Sequence, residues 1–141
     1  MKKIILLSAI LLFVVSFFTG TAVAADKKTQ AKVSKSAKVE VYYFHFTRRC
    51  KTCQAVETES QKAIAALYPN EMKAGKIKFY GVNLDNKESK ALAAKCKVEG
   101  QALLVISGNK RIDLTDKGFM YALNSADKLK SEIKKIIDPL L

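Results

Sequence analysis

The sequence predicts an α/β fold in the order β-α-β-α-β-β-α, with a mixed four-stranded sheet. Between residues 39 and 138, runs rich in β-branched and aromatic residues alternate with segments of helical periodicity. Gly108-Asn109 separates the last two apolar runs as a tight hairpin would. Strands separated by a helix are expected to pair in parallel through right-handed crossovers, and the hairpin is expected to add one antiparallel edge strand.

The four predicted strands are of two kinds. The runs 39–46 and 102–106 are nearly continuous stretches of apolar residues, a pattern typical of strands covered on both faces. The runs 77–84 and 110–115 alternate between apolar and polar residues, which is typical of strands with one buried face. The first strand is therefore expected at the centre of the sheet.

The first predicted helix covers residues 50–68 and is stopped by Pro69 and Asn70. Residues at i+3 and i+4 spacing give it one buried stripe. The stripe comprises Cys53, Val56, Ser60, Ile64 and Leu67.

Two shorter helices follow. Asp85 or Asn86 can cap the second, which runs to about residue 95, and Glu88 is placed to complete a capping box. Ser125 can cap the last helix, which Pro139 ends. The buried stripe of that helix comprises Leu129, Ile133, Ile136 and Ile137.

The first 24 residues have the features of a secretory signal peptide. Met1-Lys2-Lys3 is basic, residues 4–18 are almost entirely apolar, and Ala22-Val23-Ala24 supplies a cleavage site. The alternative is a membrane anchor, but the apolar run is shorter than the roughly 20 residues that a spanning helix needs. We therefore divide the chain into a signal peptide (1–24), a flexible basic arm (25–38) and one domain (39–141), and expect an exported protein of the periplasm or other extracytoplasmic space that does not span the membrane after cleavage.

The chain is basic, with a net charge of +12, which falls to +10 when Lys2 and Lys3 leave with the signal peptide. Nucleic acid is not the expected partner, because export separates the protein from it and no basic cluster alternates with aromatic residues. Two interpretations remain: a lysine-rich solvated surface, or attraction to acidic partners or an anionic membrane face.

The chemistry is expected at the motif Cys50-Lys51-Thr52-Cys53. It follows the first strand directly and opens the first helix, where free backbone N–H groups and the helix dipole favour a thiolate. Arg48, Arg49 and Lys51 add positive charge, so Cys50 is expected to be a nucleophile with a lowered pKa. Cys53 lies one turn into the helix and is placed to resolve a mixed disulfide.

With these features the chain resembles the thioredoxin superfamily over nearly all of residues 39–138, including the stretch 97–104 before the hairpin. The segments 41–45 and 48–53 are more narrowly similar to an exported bacterial family described as nitrophenyl compound nitroreductase subunits of the ArsF type. The superfamily resemblance implies a thioredoxin-like fold. The narrower one implies little about mechanism, because the chain has no G-x-G-x-x-G motif for a flavin or nicotinamide.

The chain departs from the thioredoxin pattern at three positions. Thioredoxins carry a cis-proline where this chain has Ala102, so a trans bond and a reshaped substrate groove at Gln101 and Ala102 are expected. Phe44 stands in place of their buried aspartate, and Arg49 in place of the tryptophan before the nucleophile. The missing aspartate invites another proton acceptor, and His45 is a candidate, although a histidine on a central strand is often a hydrogen-bonded core residue.

Cys96 is the third cysteine, left over once Cys50 and Cys53 pair. It shares a helix face with Leu92, so it is expected to be a small apolar core residue. The alternatives are a third redox thiol, or a metal ligand in a Cys₃His set with Cys50, Cys53 and His45.

The function expected from the sequence is thiol–disulfide exchange, with the Cys50–Cys53 disulfide as the redox centre and no further cofactor. Its partners would be a protein or small-molecule thiol or disulfide and a redox donor in the membrane or envelope. The alternatives are a non-catalytic protein that binds zinc, copper or arsenite, or an accessory electron-relay subunit of a reductase.

Overall fold

The structure is a computed structural model that describes residues 37–141. The predicted signal peptide and most of the basic arm lie outside these residues. Within the described part of the chain, no helix combines the length and apolarity needed to cross a membrane.

Four strands and five α-helices make up the described region, followed by a short 3₁₀ helix. The strands are β1 (Val39–His45), β2 (Ile77–Asn83), β3 (Ala102–Ser107) and β4 (Lys110–Asp113). The helices are α1 (Lys51–Leu67), α2 (Pro69–Lys73), α3 (Ser89–Lys95), α4 (Thr115–Tyr121) and α5 (Ala126–Ile137), and the 3₁₀ helix covers Asp138–Leu140.

The strands form one mixed sheet in the order β2-β1-β3-β4. This confirms the predicted α/β class and mixed four-stranded sheet, an arrangement compatible with a thioredoxin-like fold. β1 and β2 are parallel, with Val39 opposite Ile77. β3 is antiparallel to β1, with Ala102 opposite Phe44, and β4 is antiparallel to β3.

The direction of β3 corrects the expectation that strands separated by a helix pair in parallel. The connection from β2 to β3 contains α3, whose seven residues rise only about 10 Å. A seven-residue strand such as β2 spans about 23 Å, so α3 is too short to return the chain along it. β3 therefore starts at the edge where β2 ends and runs in the opposite direction, whereas the 17 residues of α1 are long enough to make β2 parallel to β1.

Alternation along β1 separates the core into two layers. Val39, Val41 and Tyr43 face the layer that contains the buried residues of α1 and α5, while Tyr42 and Phe44 face the layer beside α3. The first layer is the larger. Its fully buried members include Val56, Ile64, Leu103, Leu129, Ile133 and Ile137. α1, with the cysteine motif at its start, therefore lies on one face of the sheet, and α3 lies on the other.

Several helix boundaries differ from the prediction. α1 ends at Leu67, as the predicted stop at Pro69 requires, but Pro69 also begins the unpredicted α2, because its fixed φ and missing N–H suit the first position of a helix. α4 was not predicted, and the strand before it ends at Asp113 rather than at residue 115. The capping box before α3 does not form, since Glu88 occupies the N-cap position without a side-chain hydrogen bond. Ser125 is the N-cap of α5, also without one.

Ser60 offers a test of the core. It lies on the buried stripe of α1, it is 0% exposed, and its Oγ has no hydrogen-bond partner among the described residues. An unpaired buried hydroxyl destabilises the folded state, so Ser60→Ala should leave the free energy of unfolding unchanged or raise it by about 1 kcal/mol. Ser131→Ala is the control, because the Ser131 Oγ is exposed and donates to the Asp127 carbonyl. Urea unfolding would measure both variants, and a loss of stability confined to Ser60→Ala would contradict the prediction.

Candidate redox site

A disulfide joins Cys50 and Cys53 at the start of α1, and their Cα atoms are 5.1 Å apart. Cys50 is the exposed N-cap residue, and its Sγ accepts a hydrogen bond of 3.2 Å from the Cys53 N–H. Cys53 is only 3% exposed. The first turn of α1 contains no acidic residue, so the positive end of the helix dipole is not offset there. An incoming sulfur can therefore reach Cys50, while Cys53 is shielded.

The loop between β1 and α1, which leads to Cys50, is hydrogen-bonded to residues at the end of β2. The Thr47 N–H donates to Asp85 Oδ2 at 2.7 Å, and Asn83 Nδ2 donates to Thr47 Oγ1 at 2.8 Å. Hydrogen bonds from Thr47 lower the pKa of the Asp85 carboxyl. Asp85, a candidate helix cap in the sequence, instead holds the loop before the cysteine motif.

The three cations around Cys50 lie in different environments. Arg48 and Lys51 are exposed, and neither has an ion-pair partner within residues 37–141. The Arg49 guanidinium pairs with Glu57 Oε2, and both side chains are 25% exposed. Arg48 and Lys51 thus present uncompensated charge beside Cys50, whereas the charge of Arg49 is largely offset by Glu57.

The Glu57 carboxylate lies in a space that is open because Gly81, on the neighbouring strand β2, has no side chain. A Cβ atom at Gly81 of β2 would overlap Glu57 Oε1 and would lie 3.8 Å from His45 Nε2. Gly81 is opposite Tyr43 in the register of β1 and β2. The Glu57 carboxylate therefore lies over the backbone of β2, with Arg49 and His45 as its polar neighbours.

The Tyr43 side chain lies next to the polar group formed by Glu57, Arg49 and His45. Its side chain is 0% exposed, and its hydroxyl donates to Gln101 Oε1 at 3.3 Å. Burial is the main cause that raises the pKa of Tyr43 to about 12, and Glu57 adds to this while Arg49 opposes it. Tyr43 therefore remains a neutral hydrogen-bond donor at physiological pH and holds Gln101 close to the site.

His45, the predicted proton acceptor, is half-buried at the end of β1. Its Nδ1 lies 3.0 Å from the Phe46 carbonyl oxygen, which can only accept, so we assign the proton to Nδ1. Nε2 is then the basic nitrogen, and it is directed towards Gly81. The ring also stacks on Tyr43, with centroids 5.9 Å apart. These contacts fit either role considered for His45, and its part in proton transfer stays a prediction.

The predicted substrate groove lies at the start of β3. Gln101 is half-buried, and Ala102 is 7% exposed and paired with Phe44. No peptide bond within residues 37–141 is cis, so the bond before Ala102 is trans, as expected.

Cys96 lies apart from the disulfide. It is 4% exposed and belongs to the core layer of Tyr42 and Phe44, on the sheet face opposite α1. Burial raises the pKa of its thiol, which fits the predicted role of a small apolar core residue. Within residues 37–141, no three His, Cys, Asp or Glu side chains are gathered to hold a metal ion, so the alternative Cys₃His set is not assembled in this structure.

No protein-family model matches the chain, and no curated protein matches it. Among solved structures, the chain is similar to one described as the structure of a malarial protein, with 24% identity and a TM-score of 0.44. The match covers 70% of this chain and 96% of the malarial one. A likeness at this level indicates neither a family nor a function.

Sequence reasoning missed Glu57 and Gly81 and treated Tyr43 as an ordinary strand aromatic. Two signals were present. Glu57 follows Cys53 by four residues, which places the two side chains on one face of α1. A single glycine inside a strand often marks the close approach of another group, and at Gly81 that group is the Glu57 carboxylate.

Proposed function

We propose that this protein is an exported thiol–disulfide oxidoreductase of the cell envelope, and that Cys50 and Cys53 are its redox pair. The observation that supports this best is the disulfide at the start of α1, with one exposed sulfur and one shielded sulfur. Export is proposed from the signal-peptide pattern, and an exported compartment permits disulfide chemistry.

In the proposed reaction, the Cys50 thiolate attacks one sulfur of a substrate disulfide. The bond between the two substrate sulfurs breaks, and one leaves as a thiolate. Cys53 then attacks Cys50 Sγ, which releases the second substrate thiolate and closes the Cys50–Cys53 disulfide. The cysteines carry both electrons, so the reaction needs no other cofactor, and a thiol donor in the envelope would reduce the pair again.

We further propose that the chain is a member of the thioredoxin superfamily. The order and directions of its strands are compatible with that fold, and the cysteine motif lies between β1 and α1. Nitroreduction, which the name of the narrower ArsF-type family suggests, is not proposed, because the sequence has no motif for a flavin or nicotinamide.

A redox titration tests the proposed function directly. The mature Cys96→Ala protein, stripped of metal, would be equilibrated in glutathione buffers, and its free thiols would be trapped and counted by intact mass. A reversible two-electron transition, with single trapping at Cys50, is the expected result. A pair that never cycles would contradict the proposal and would direct attention to a structural disulfide or a metal-binding dithiol.

The uncompensated cations should control how readily Cys50 ionises. Replacing Arg48 and Lys51 together by glutamate places two negative charges beside the sulfur, which disfavours the thiolate. We expect iodoacetamide to alkylate reduced Cys50 about 10-fold more slowly at neutral pH, because a shift of one pKa unit changes the thiolate fraction by about that factor.

Lys62→Glu and Lys73→Glu together would be the matched control, because both lysines lie away from the start of α1 and the net charge changes equally. Equal alkylation rates in the two double variants would show that local charge does not set the reactivity of Cys50.

A further inference from the structure

We propose that Glu57 is the proton acceptor for the Cys53 thiol, an inference that rests on the proposed function. Cys53 must lose a proton before it can attack the mixed disulfide, yet it is 3% exposed and poorly accessible to water. At the end of β1, Phe44 supplies no proton acceptor and packs into the opposite core layer. The acceptor must therefore come from elsewhere on the α1 side of the sheet.

The geometry of α1 directs Glu57 towards Cys53. Residues four apart lie on one face of a helix, and a helical side chain covers the turn that precedes its own Cα. Glu57 therefore extends back towards the turn that holds Cys53. The structure gives the Glu57 carboxylate two contacts: Oε2 pairs with Arg49, the residue before Cys50, and Oε1 lies over Gly81.

The groups that face Glu57 differ in their capacity to take a proton. Arg49, from the loop, is a permanent cation that holds the carboxylate in place. Tyr43 and His45 approach from β1, and on β2 the carboxylate lies over Gly81, which has no side chain. The Tyr43 hydroxyl donates a hydrogen bond to Gln101 and has a raised pKa, so it keeps its own proton and is not a base. His45 remains the competing acceptor, and a variant at each position separates the two.

The proposed step balances in protons and electrons. The Cys53 thiol gives its proton to the Glu57 carboxylate, and the resulting thiolate attacks Cys50 Sγ of the mixed disulfide. The Cys50–Cys53 bond forms, the bond from Cys50 to the substrate sulfur breaks, and the electron pair leaves on that sulfur as a thiolate. In the reverse direction, Cys53 departs as a thiolate and the protonated Glu57 returns the proton.

The test uses the reduced mature protein with Cys96→Ala and dithiobis(nitrobenzoate) as substrate. Attack by Cys50 releases one coloured thiolate, and resolution by Cys53 releases a second, so stopped-flow absorbance separates the two steps. With Glu57→Gln, we expect the second phase to be about 100-fold slower at neutral pH, the scale of a lost general base, and the first phase to be much less affected. The deficit should shrink as the pH rises, because hydroxide then removes the proton instead. A purely structural role of Glu57 would not produce that pH dependence.

Gly81→Ala is the second variant, because its methyl group displaces the carboxylate while leaving the charge of Glu57 intact. It should also slow the second phase. Glu59→Gln is the matched control, since Glu59 is on the same helix but pairs with Lys62. Circular dichroism would establish that each variant is folded.

The outcomes separate this inference from the proposed function. If the parent protein releases both thiolates but Glu57→Gln does not slow the second release, the function stands and Glu57 is not the acceptor. Glu57 is also not the acceptor if His45→Ala alone produces the pH-dependent deficit, or if Glu59→Gln slows release as much as Glu57→Gln. If the parent protein never releases the second thiolate, both proposals are overturned.

Discussion

Replacing Cys50 by serine is expected to abolish thiol–disulfide exchange, whereas replacing Cys53 by serine should stop the reaction halfway. The expected loss in Cys50→Ser is more than about 10³-fold, because a serine hydroxyl remains un-ionised at neutral pH and removing a covalent nucleophile has effects of this size or larger. In Cys53→Ser, the exposed Cys50 can still attack, but nothing displaces the substrate. Reduction of a small disulfide, followed by intact mass, would measure both outcomes, and the Cys53→Ser protein should carry a trapped substrate adduct.

Cys96→Ser is the control for this pair of variants. Its thiol is buried on the opposite face of the sheet, so its loss should leave exchange close to that of the unmodified protein. The assignment of roles would be reversed if Cys50→Ser accumulated the adduct at Cys53. It would be wrong altogether if exchange continued without Cys50.

Cys50 and Cys53 can have different roles because they differ in exposure, although only one helical turn separates them. Cys50, the N-cap residue, lies outside the helix proper, while Cys53 begins the buried stripe that continues through Val56. Glu57 follows Val56 directly and lies at the edge of this stripe, where a carboxylate can be half-buried and still meet Arg49. Along the first two turns of α1, the chain therefore passes from an exposed cysteine to a buried cysteine and then to a half-buried carboxylate.

The parts of the fold that sequence could predict are those governed by local patterns. Continuous apolar runs indicate β1 and β3, and apolar stripes indicate α1 and α5. The structure buries these stripes except at Leu67 and Ile136, which are half-buried. The direction of β3 could not be predicted in this way, because it depends on how far α3 carries the chain, and the start and length of α3 were not fixed by its sequence. α4 was missed because Gly118, a poor helix former, lies at its centre. In the structure, Gly118 lets α4 approach Val56 and Leu103 closely.

The candidate site also has parts that local sequence could predict and parts that it could not. The cysteine motif and its exposed cations could be predicted, since helix position and adjacent charge are visible in a few consecutive residues. The pairing of Arg49 with Glu57 could not, because it requires Gly81 to lie beside the Glu57 carboxylate. That placement follows from the register of β1 and β2, which puts Gly81 opposite Tyr43 and which no local pattern specifies.

We expect that a core substitution in α1 can lower the stability of the domain without changing the reactivity of its cysteines, and Ile64→Ala tests this. Ile64 is 0% exposed on the same stripe as Cys53 and packs in the larger core layer. Truncating it leaves a cavity, so we expect the free energy of unfolding to fall by about 2–5 kcal/mol, a large part of the 5–15 kcal/mol typical of a domain. Denaturant titration of the oxidised protein would measure the loss, and Lys62→Ala, on the exposed face of α1, should change stability little.

The same variant should leave the redox chemistry of the folded protein unchanged. Ile64 follows Cys53 by 11 residues, about 16 Å along the helix axis, and sites this far apart without shared partners act independently. Both phases of thiolate release should therefore proceed at the parent rate wherever Ile64→Ala remains folded. Glu57→Gln, in contrast, is expected to slow resolution without opening a core cavity. If Ile64→Ala slowed the second phase as strongly as Glu57→Gln, core packing along α1 rather than a local carboxylate would control the reactivity of Cys53. Distance along a single helix thus distinguishes a residue that stabilises the scaffold from one that takes part in the reaction.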